Sequence, residues 1–329
     1  MITQIKKVDE QSAVLGAKIL LDGGVIAIPT ETVYGLGAVG TIPSAVKKIF
    51  EIKGRPSDNP LIAHVHKDYD IEKLVFVKHD YVKKLIEKFT PGPLTLVMES
   101  KGVVCSEATC GGSTLAVRIP SHEGCQMLLK AVDAPVVAPS ANLSKHTSPV
   151  TAEHVLADLD GKISLILDGG ACSGGIESTV LDVTESVPRI LRAGLITKEM
   201  IESVTGKCEI AEHKETDKVR SPGVKYRHYR PKCETALVEY GEWEKAKVLY
   251  DEYVKNGKTP YIMCDSTCAQ NFARYNVLDL GKTGEDVAHN LYSALLKGEK
   301  IADIIIAVAM PREDGVYLGV MNRLRKSCG

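Results

Sequence analysis

The sequence has no apolar run long enough to cross a membrane. Its longest uninterrupted apolar stretch is Ile304 to Met310, whereas a membrane-spanning helix needs about 20 such residues. Residues Met1 to Lys7 also lack the apolar core of a secretory signal peptide. We therefore expect a cytoplasmic protein with no membrane partner.

Disulfide patterning and a strong net charge are also missing. The nine cysteines contain no CxxC pair and leave one over, which favours reduced thiols in a cytosol. A net charge of −1 argues against a protein that coats nucleic acid over its whole surface. With 329 residues, 44% of them hydrophobic, the chain can bury a full core, and its length favours two domains. The partner is expected to be small.

Neither common glycine-rich nucleotide motif is present in its proper context. The pattern G-x-x-x-x-G-K-[ST] does not occur. Gly35 to Gly40 (GLGAVG) matches G-x-G-x-x-G, but the predicted strand before it ends near Pro29. The acidic residue at the expected spacing, Asp58, lies in a basic loop. We interpret these glycines as a turn, so any nucleotide must be held in another way.

Metal and nucleophile motifs are incomplete. His64 and His66 alternate on a predicted strand, but no further ligand is spaced to complete a site. We therefore predict no metal site and interpret His64 as a polar substrate contact. Ser140 lacks a G-x-S-x-G setting and identifiable His and Asp partners. We interpret its hydroxyl as a hydrogen-bond donor.

Apolar patterning predicts an α/β domain with some antiparallel pairing over residues 1–205. Strands are predicted at Val25 to Ile28, Leu61 to Val65, Leu94 to Met98, Leu115 to Ile119, Val136 to Ala138, Ser164 to Leu167 and Ser178 to Val183. Helices are predicted at Gln11 to Leu21, Thr41 to Ile52, Asp80 to Lys88, His122 to Ala131 and Thr151 to Leu159.

The composition changes after Thr205. Residues 206–233 are polar and then basic, ending in Val219 to Lys232 (VRSPGVKYRHYRPK), and we predict a linker that closes as a lid over a ligand pocket. Residues 234–329 form a smaller open α/β domain. Its strands are predicted at Ala246 to Tyr250, Pro260 to Cys264, Val277 to Leu280 and Asp303 to Ala309, and its helices at Glu285 to Lys297 and Leu318 to Lys326.

Two short segments suggest a fixed anion site. Lys53 to Pro60 (KGRPSDNP) places two cations among prolines and short polar residues, which limit where the charges can point. Ala138 to Asn142 (APSAN) follows an apolar run, so it would lie where a strand ends and α/β sheets bind ligands. The alternative for the first segment is a solvated basic turn. We expect Lys53 and Arg55 to be exposed, with little effect on stability.

Together these segments resemble the Sua5/YrdC family in its two-domain Sua5 form. The shared motifs are PTETVYGLG (Pro29 to Gly37), KGRPSDNPL (Lys53 to Leu61), PGPLTLV (Pro91 to Val97), STLAVRIP (Ser113 to Pro120), APSANLS (Ala138 to Ser144), ESTV (Glu177 to Val180), LRAG (Leu191 to Gly194) and SPGVKYRHYRP (Ser221 to Pro231). The resemblance implies a YrdC-like domain with a twisted mixed sheet and flanking helices, followed by a Rossmann-like Sua5 domain.

The resemblance also implies an activity, that of an L-threonylcarbamoyladenylate synthase, which is a nucleotidyltransferase. Such an enzyme condenses L-threonine, bicarbonate and ATP, with Mg²⁺, to threonylcarbamoyl-AMP and pyrophosphate. The product then passes to the machinery that makes t6A37 in tRNA, and weak binding of tRNA is possible for this family. Two anions must be held together in line, which agrees with fixed cations and with the lack of a nucleophile.

Site residues follow from the resemblance, position by position. The family's catalytic tetrad corresponds to Lys53, Arg55, Ser140 and Asn142. L-threonine is expected to contact Thr32, His64, Arg118 and the main chain of Ala138. ATP is expected to contact Arg55, Asn59, Thr114, Ser140, Ser148, Arg192 and Arg227.

Three other functions remain as alternatives. A nucleic-acid-binding module would need many phosphate contacts, which the near-neutral charge disfavours. A carbamoyl transferase of the hydrogenase-maturation type would carry acylphosphatase and zinc-finger segments, which have no counterpart in this sequence. A regulatory or scaffold protein would show no turnover.

Overall fold

The structure, a computed structural model, describes residues 2–211 and 229–329. These residues form two sheets, one of 12 mixed strands and one of 4 strands that pair in parallel. The prediction of a mixed α/β domain followed by a smaller open α/β domain is confirmed. None of the helices in the described part of the chain has the length and apolarity that crossing a bilayer requires.

The first sheet and its helices account for residues 4–210. The strands are β1 (Gln4–Lys7), β2 (Ile26–Ile28), β3 (Gly35–Val39), β4 (Ile62–His64), β5 (Val75–Phe76), β6 (Leu94–Ser100), β7 (Thr114–Arg118), β8 (Val136–Val137), β9 (Leu165–Asp168), β10 (Thr179–Asp182), β11 (Arg189–Arg192) and β12 (Glu209–Ile210). The helices are α1 (Glu10–Leu21), α2 (Pro43–Lys53), α3 (Asp80–Phe89), α4 (Ser106–Thr109), α5 (Glu123–Val132), α6 (Ala152–Leu159) and α7 (Lys198–Thr205).

The order of strands brings distant segments together. The sheet runs β1-β9-β2-β3-β8-β4-β7-β6-β10-β11-β12, with β5 paired to β6. Strands β4 and β7 are parallel, and their register sets His64 opposite Arg118. Strand β8 is antiparallel to β4, so the chain that leaves β8 starts beside the middle of β4. The cleft described below opens at this place.

The glycines Gly35 and Gly37 lie in a strand, so the turn interpretation is wrong. Strand β3 is buried along its whole length between β2 and β8. A Cβ on Gly35 would lie 3.1 Å from the Cβ of Ala138, and one on Gly37 would lie 3.1 Å from Cγ1 of Val136. The glycines therefore let β8 and the chain after it pack closely against β3.

Helix α2 extends one residue beyond its predicted end and includes Lys53. Its stripe of Ala45, Val46 and Ile49 is buried as predicted. The helix ends at Gly54, whose φ of 59° is a left-handed conformation that suits glycine. Because the last helical turn faces the core, Lys53 is only 3% exposed. The expectation that Lys53 is an exposed loop cation is therefore wrong.

The second sheet has the order β13-β16-β14-β15. Its strands are β13 (Glu234–Val238), β14 (Pro260–Cys264), β15 (Val277–Asp279) and β16 (Ile304–Val308), and its helices are α8 (Trp243–Lys255), α9 (Ser266–Ala269), α10 (Gly284–Ile301) and α11 (Gly315–Cys328). The strand predicted at Ala246 to Tyr250 is wrong, because this segment lies inside α8. Ala246 and Tyr250 are buried four residues apart, while Val248 is 57% exposed, which is helical spacing.

The two domains pack closely against each other. A Cβ on Gly319 of α11 would lie 3.2 Å from Cα of Gly194. His289 of α10 shares a hydrogen bond of 3.0 Å with the main-chain oxygen of Ser173. Most of the predicted lid, including Arg227, lies outside the described residues. The domain boundaries at 205 and 233 remain a prediction.

Candidate active site

A cleft opens where β4, β7, β8, β10 and β11 end or begin. The space within it, counted together with open solvent at its mouth, is about 620 Å³. Its lining comprises Thr30, Thr32, Val33, Gly35, Arg55, Ile62, His64, Arg118, Ala138, Pro139, Ser140, Asn142, His146, Ser148, Glu177, Ser178, Arg192 and Tyr229. The structure thus brings together nine of the residues that the sequence analysis assigned to the site.

Thr32, His64 and Arg118 form one end of the cleft. Thr32 lies in the loop between β2 and β3, while His64 and Arg118 end the parallel strands β4 and β7. Nη1 of Arg118 donates a hydrogen bond of 2.8 Å to Oγ1 of Thr32. The three side chains are almost fully buried. This corner offers a guanidinium group, a hydroxyl and an imidazole to one small ligand.

Glu31 is a member of this corner that the sequence analysis did not identify. Its Oε1 lies 2.9 Å from Nη2 of Arg118, and both side chains are buried. Glu31 therefore compensates the buried guanidinium charge from behind and fixes the direction of the fork. Its place in the motif PTETVYGLG was the only sequence signal that could have identified it.

His64 is held as a neutral imidazole. Burial, reinforced by the positive charge of Arg118, lowers the pKa of His64 to about 3. Its Nδ1 lies 3.0 Å from the main-chain oxygen of Ile62. A hydrogen bond donated to that oxygen would leave Nε2 as an acceptor. A neutral acceptor of this kind suits a ligand hydroxyl or amine.

Lys53 lies beneath the Ser140 to Asn142 turn and does not line the cleft. Its Nζ donates hydrogen bonds to the main-chain oxygens of Ser140, at 2.5 Å, and of Asn142. Burial, with a further contribution from Arg55, holds the pKa of Lys53 well below its usual range. The lysine therefore ties the end of α2 to the turn that carries two other members of the predicted tetrad.

Arg55 reaches the cleft from the segment after α2. Its guanidinium group donates to the main-chain oxygen of Asn59, with Nη2 at 3.2 Å. Burial lowers the pKa of Arg55 to about 10, so the group is still a cation at neutral pH. The segment after α2 folds back on itself, so the positive charge of Arg55 points at the cleft. A fixed anion site would require a charge in this position.

A second group of lining residues contains Ser148, Glu177 and Arg192. Oγ of Ser148 donates a hydrogen bond of 2.6 Å to Oε1 of Glu177. Nε and Nη2 of Arg192 donate to the main-chain oxygen of Ser178 at 3.1 and 3.0 Å. Glu177 was part of a quoted motif but received no role from the sequence. Its contacts show that it supports this group from below.

Besides Lys53, three of the predicted site residues lie away from the lining or outside the described residues. Asn59 is buried behind Arg55, and its side-chain amide has no hydrogen-bond partner in the described part of the chain. Thr114 begins β7, at the end opposite Arg118. Arg227 lies outside the described residues. ATP contacts by these three residues remain predictions.

Three cationic side chains line the cleft. Arg55, Arg118 and Arg192 supply three guanidinium groups from three separate elements, and fixed cations of this kind bind phosphate and carboxylate groups. Among residues 2–211 and 229–329, no three His, Cys, Asp or Glu side chains are grouped to hold a metal ion. The architecture is that of a two-domain α/β protein with a cleft lined by three guanidinium groups.

Comparisons with known proteins identify the family. A model named for Sua5, YciO and YrdC, and described as telomere recombination, matches residues 18–194. A second model, described as the C-terminal domain of threonylcarbamoyl-AMP synthase, matches residues 196–329. The chain therefore belongs to the Sua5/YrdC family, in its two-domain form, and is an enzyme of the nucleotidyltransferase class.

Relatives match over nearly the full length. The chain is 40% identical to the threonylcarbamoyl-AMP synthase of Pyrococcus abyssi, covering 98% of this chain and 96% of that protein. It is 42% identical to the Bacillus subtilis protein of the same name, covering 95% and 92%. The crystal structure of P. abyssi Sua5 complexed with L-threonine is similar, with a TM-score of 0.89, 39% identity and coverage of 99% and 96%.

Proposed function

We propose that this protein condenses L-threonine, bicarbonate and ATP into threonylcarbamoyl-AMP and pyrophosphate. The observation that carries the proposal is that two separate hydrogen-bonded groups of side chains, Thr32 with Arg118 and Ser148 with Glu177, line one cleft. One end offers Thr32, His64 and Arg118 to an amino acid. The other offers Arg55, Ser148 and Arg192 to a nucleotide polyphosphate. The similarity to a Sua5 protein solved with L-threonine supports the first assignment.

The amino-acid end fits the groups of L-threonine. The fork of Arg118 suits a carboxylate, since it can donate two parallel hydrogen bonds. Neutral His64 can accept from the threonine hydroxyl without adding a second positive charge. The main-chain N–H of Ala138 donates to the main-chain oxygen of Ile62 in β4, so the carbonyl oxygen of Ala138 is the group that would contact the ligand. In this arrangement the threonine amine faces the middle of the cleft.

The chemistry needs orientation and charge compensation instead of a protein nucleophile. The threonine amine and bicarbonate give a carbamate with loss of water. A carbamate oxygen then forms a bond to the α-phosphorus of ATP, and the bond from that phosphorus to the pyrophosphate oxygen breaks. Arg55 and Arg192 would offset the charge of the phosphates, while Ser140 and Asn142 would orient them.

Mg²⁺ would enter with the nucleotide. Glu177, the carboxylate of the lining, already accepts hydrogen bonds from Ser148 and Tyr292 and pairs with Arg323. The described lining therefore does not provide a set of oxygen ligands for a resident ion. Mg²⁺ commonly binds through substrate phosphates, and we treat it as part of the ATP substrate. The product would pass to a t6A transferase machinery that acts on tRNA, and weak tRNA binding remains a prediction.

The test is incorporation of labelled bicarbonate by the purified full-length protein. Label should enter an adenylate only when L-threonine, ATP and Mg²⁺ are all present, with one pyrophosphate formed for each adenylate. Arg55→Ala should abolish most of the incorporation, because a fixed cation at the phosphates is lost. The control is Lys47→Ala, which removes an exposed cation from α2. Formation of ADP and phosphate, or incorporation without threonine, would contradict the proposal.

A further inference from the structure

Glu177 is buried where the two domains meet. Its Oε2 accepts a hydrogen bond of 2.9 Å from the hydroxyl of Tyr292 in α10. The same oxygen accepts one of 3.1 Å from Nε of Arg323 in α11. Its Oε1 accepts from Ser148 in the cleft. One carboxylate of the first domain is thus held from one side by the second domain and touches the cleft on the other.

The side chain of Arg323 lies at the interface between the two domains, beside Glu177. It is fully buried, and Nη1 donates to the main-chain oxygens of Ala193 and Gly319. Gly319 lies one turn earlier in α11 and lets the helix approach Gly194 closely. The guanidinium group therefore fixes the carboxylate of Glu177 and the start of the turn after β11 at the same time.

Arg323 is the main cation that compensates the charge of this carboxylate. Burial by itself would raise the pKa of Glu177, but Arg323 and Arg192, with the hydrogen bond from Ser148, lower it to about 2. Glu177 is therefore ionised although its side chain is buried. A buried charge that loses its partner is strongly destabilising. Without Arg323, Glu177 would have to take up a proton, move or draw in water.

A change in the protonation or position of Glu177 would directly alter the nucleotide end of the cleft. Ser148 takes its orientation from Glu177 through the hydrogen bond of 2.6 Å. Ser178 follows Glu177 in the chain, and its main-chain oxygen accepts two hydrogen bonds from Arg192. Two of the three residues assigned to ATP at this end, Ser148 and Arg192, therefore depend on the position of one dipeptide.

We propose that Arg323 of the C-terminal domain is a positioning residue for the nucleotide, acting through Glu177 on Ser148 and Arg192. This inference rests on the proposed function, since it takes the ligand of this end to be ATP. Arg323 does not line the cleft, and its effect passes through the carboxylate of Glu177. A domain that supplies no wall of the described nucleotide end thereby sets its geometry.

Kinetics of full-length variants test the proposal. Arg323→Met should raise the KM for ATP about ten- to hundredfold, because a buried acceptor loses its donor, and it should change the KM for threonine much less. Arg323→Lys keeps the charge but cannot reach Glu177 and Ala193 together, so it should recover part of the loss. The control is Arg325→Met, which removes an exposed arginine of the same helix and should leave both KM values unchanged.

A double-variant cycle separates positioning from support of the fold. In Glu177→Gln, the amide oxygen can still accept from Ser148, and no buried charge needs Arg323. The step Arg323→Met should therefore cost much less in this background than in the wild type. Equal costs in the two backgrounds would overturn the proposal, as would a lower apparent kcat with unchanged KM values. If Arg323→Met fails to fold in the wild-type background, Arg323→Lys takes its place there. The cost of Arg323→Lys is then compared with the cost of the step from Glu177→Gln to Glu177→Gln/Arg323→Met.

Hydrogen exchange without ligands tests the inference independently of turnover. Amides of residues 145–151 and 176–180 should exchange faster in Arg323→Met than in the wild type and in Arg325→Met. Unchanged exchange in a folded variant would overturn the positioning role. If the wild type forms no adenylate while the exchange pattern appears, the proposed function fails and the structural coupling remains. The two failures are therefore distinguishable.

Discussion

Nζ of Lys53 lies 3.3 Å from the side-chain oxygen of Asn142 and also donates to that residue's main-chain oxygen. Both residues belong to the tetrad expected from the family resemblance, yet one is beneath the cleft and the other in its wall. The ammonium group stabilises a turn whose carbonyl oxygens would otherwise be buried without donors. Its influence on a nucleotide would come through that turn.

Replacement of Lys53 should therefore affect stability as well as turnover. Lys53→Met should lower the free energy of unfolding by about 2 kcal/mol, because buried carbonyl oxygens lose their donor. Turnover should fall by orders of magnitude, since Ser140 and Asn142 lose their orientation. Urea unfolding and the labelled-bicarbonate assay measure the two effects.

Lys47→Ala is the matched control for Lys53→Met. Lys47 lies in the same helix with its side chain 63% exposed, so both quantities should stay near the wild-type values. A Lys53→Met protein of normal stability and low turnover would instead place the ammonium group on the substrate.

Arg118→Lys should act on threonine. A lysine can stay near Glu31 but cannot also donate to Thr32 and to a ligand carboxylate in a fork. The KM for L-threonine should rise about ten- to hundredfold, which is the cost of one or two charge-assisted hydrogen bonds. The KM for ATP should change little. Initial rates with each substrate varied in turn give both values.

The control for Arg118→Lys is Arg189→Lys. Arg189 is an exposed arginine of β11 that pairs with Glu209. Its replacement should leave both KM values unaltered. A rise confined to the KM for ATP in Arg118→Lys would mean that this guanidinium group binds the nucleotide.

His64 should make the stability of the protein depend on pH. The folded state keeps the imidazole neutral with a pKa of about 3, against 6.5 for the ordinary group. Below pH 6.5 only the unfolded chain binds this proton. The contribution of neutral His64 to the free energy of unfolding is therefore complete above pH 6.5 and is lost as the pH falls. The loss approaches about 1.4 kcal/mol per pH unit between pH 6 and pH 4.

Urea unfolding between pH 7.5 and pH 5 checks this prediction. The wild type should lose stability over that range more steeply than His64→Gln, which has no proton to bind at this position. Parallel curves for the two proteins would show that His64 does not carry the dependence.

Gly319→Ala tests how closely α11 must approach the first domain. The added methyl group would lie 3.2 Å from Cα of Gly194 and 3.3 Å from Cδ1 of Ile176. Alanine favours the helix itself by about 1 kcal/mol, but the helix must shift by a few tenths of an ångström. Arg323, one turn away, would shift with it.

We therefore expect the KM for ATP to rise severalfold in Gly319→Ala while helical circular dichroism is retained. Asn322→Ala, an exposed position of the same helix, should leave the KM unchanged. An unaltered KM in Gly319→Ala would show that the interface tolerates the extra methyl group.

The spacing of apolar residues in the sequence correctly predicted strands and helices whose buried side chains pack into one core. Strands β4, β6 and β7 and helix α2 follow their apolar periodicity closely. The five residues Ala246 to Tyr250 were assigned to a strand because they are mostly apolar, although the buried pair at their ends has helical spacing. The turn assigned to Gly35 and Gly37 failed for another reason, since only the neighbouring strand shows why side chains are excluded there.

The structure brings predicted site residues together where a motif places them at the end of a strand. Thr32, His64 and Arg118 meet because β4 and β7 are parallel and in register. The partners of Glu177 could not be predicted, because Tyr292 and Arg323 lie more than a hundred residues further along the chain. No local pattern records a contact between domains, and a buried arginine in a helix looks like any surface cation in the sequence.

The ion pair of Glu177 and Arg323 also has a consequence for the order of assembly. Helix α11 follows the strands of both described sheets in the chain, and domains generally fold from the N-terminus as they leave the ribosome. The first domain can therefore collapse while Glu177 still lacks its counter-ion. In a nascent chain at this stage, Glu177 would lack the hydrogen bonds from Tyr292 and Arg323, and synthesis of the second domain would supply them.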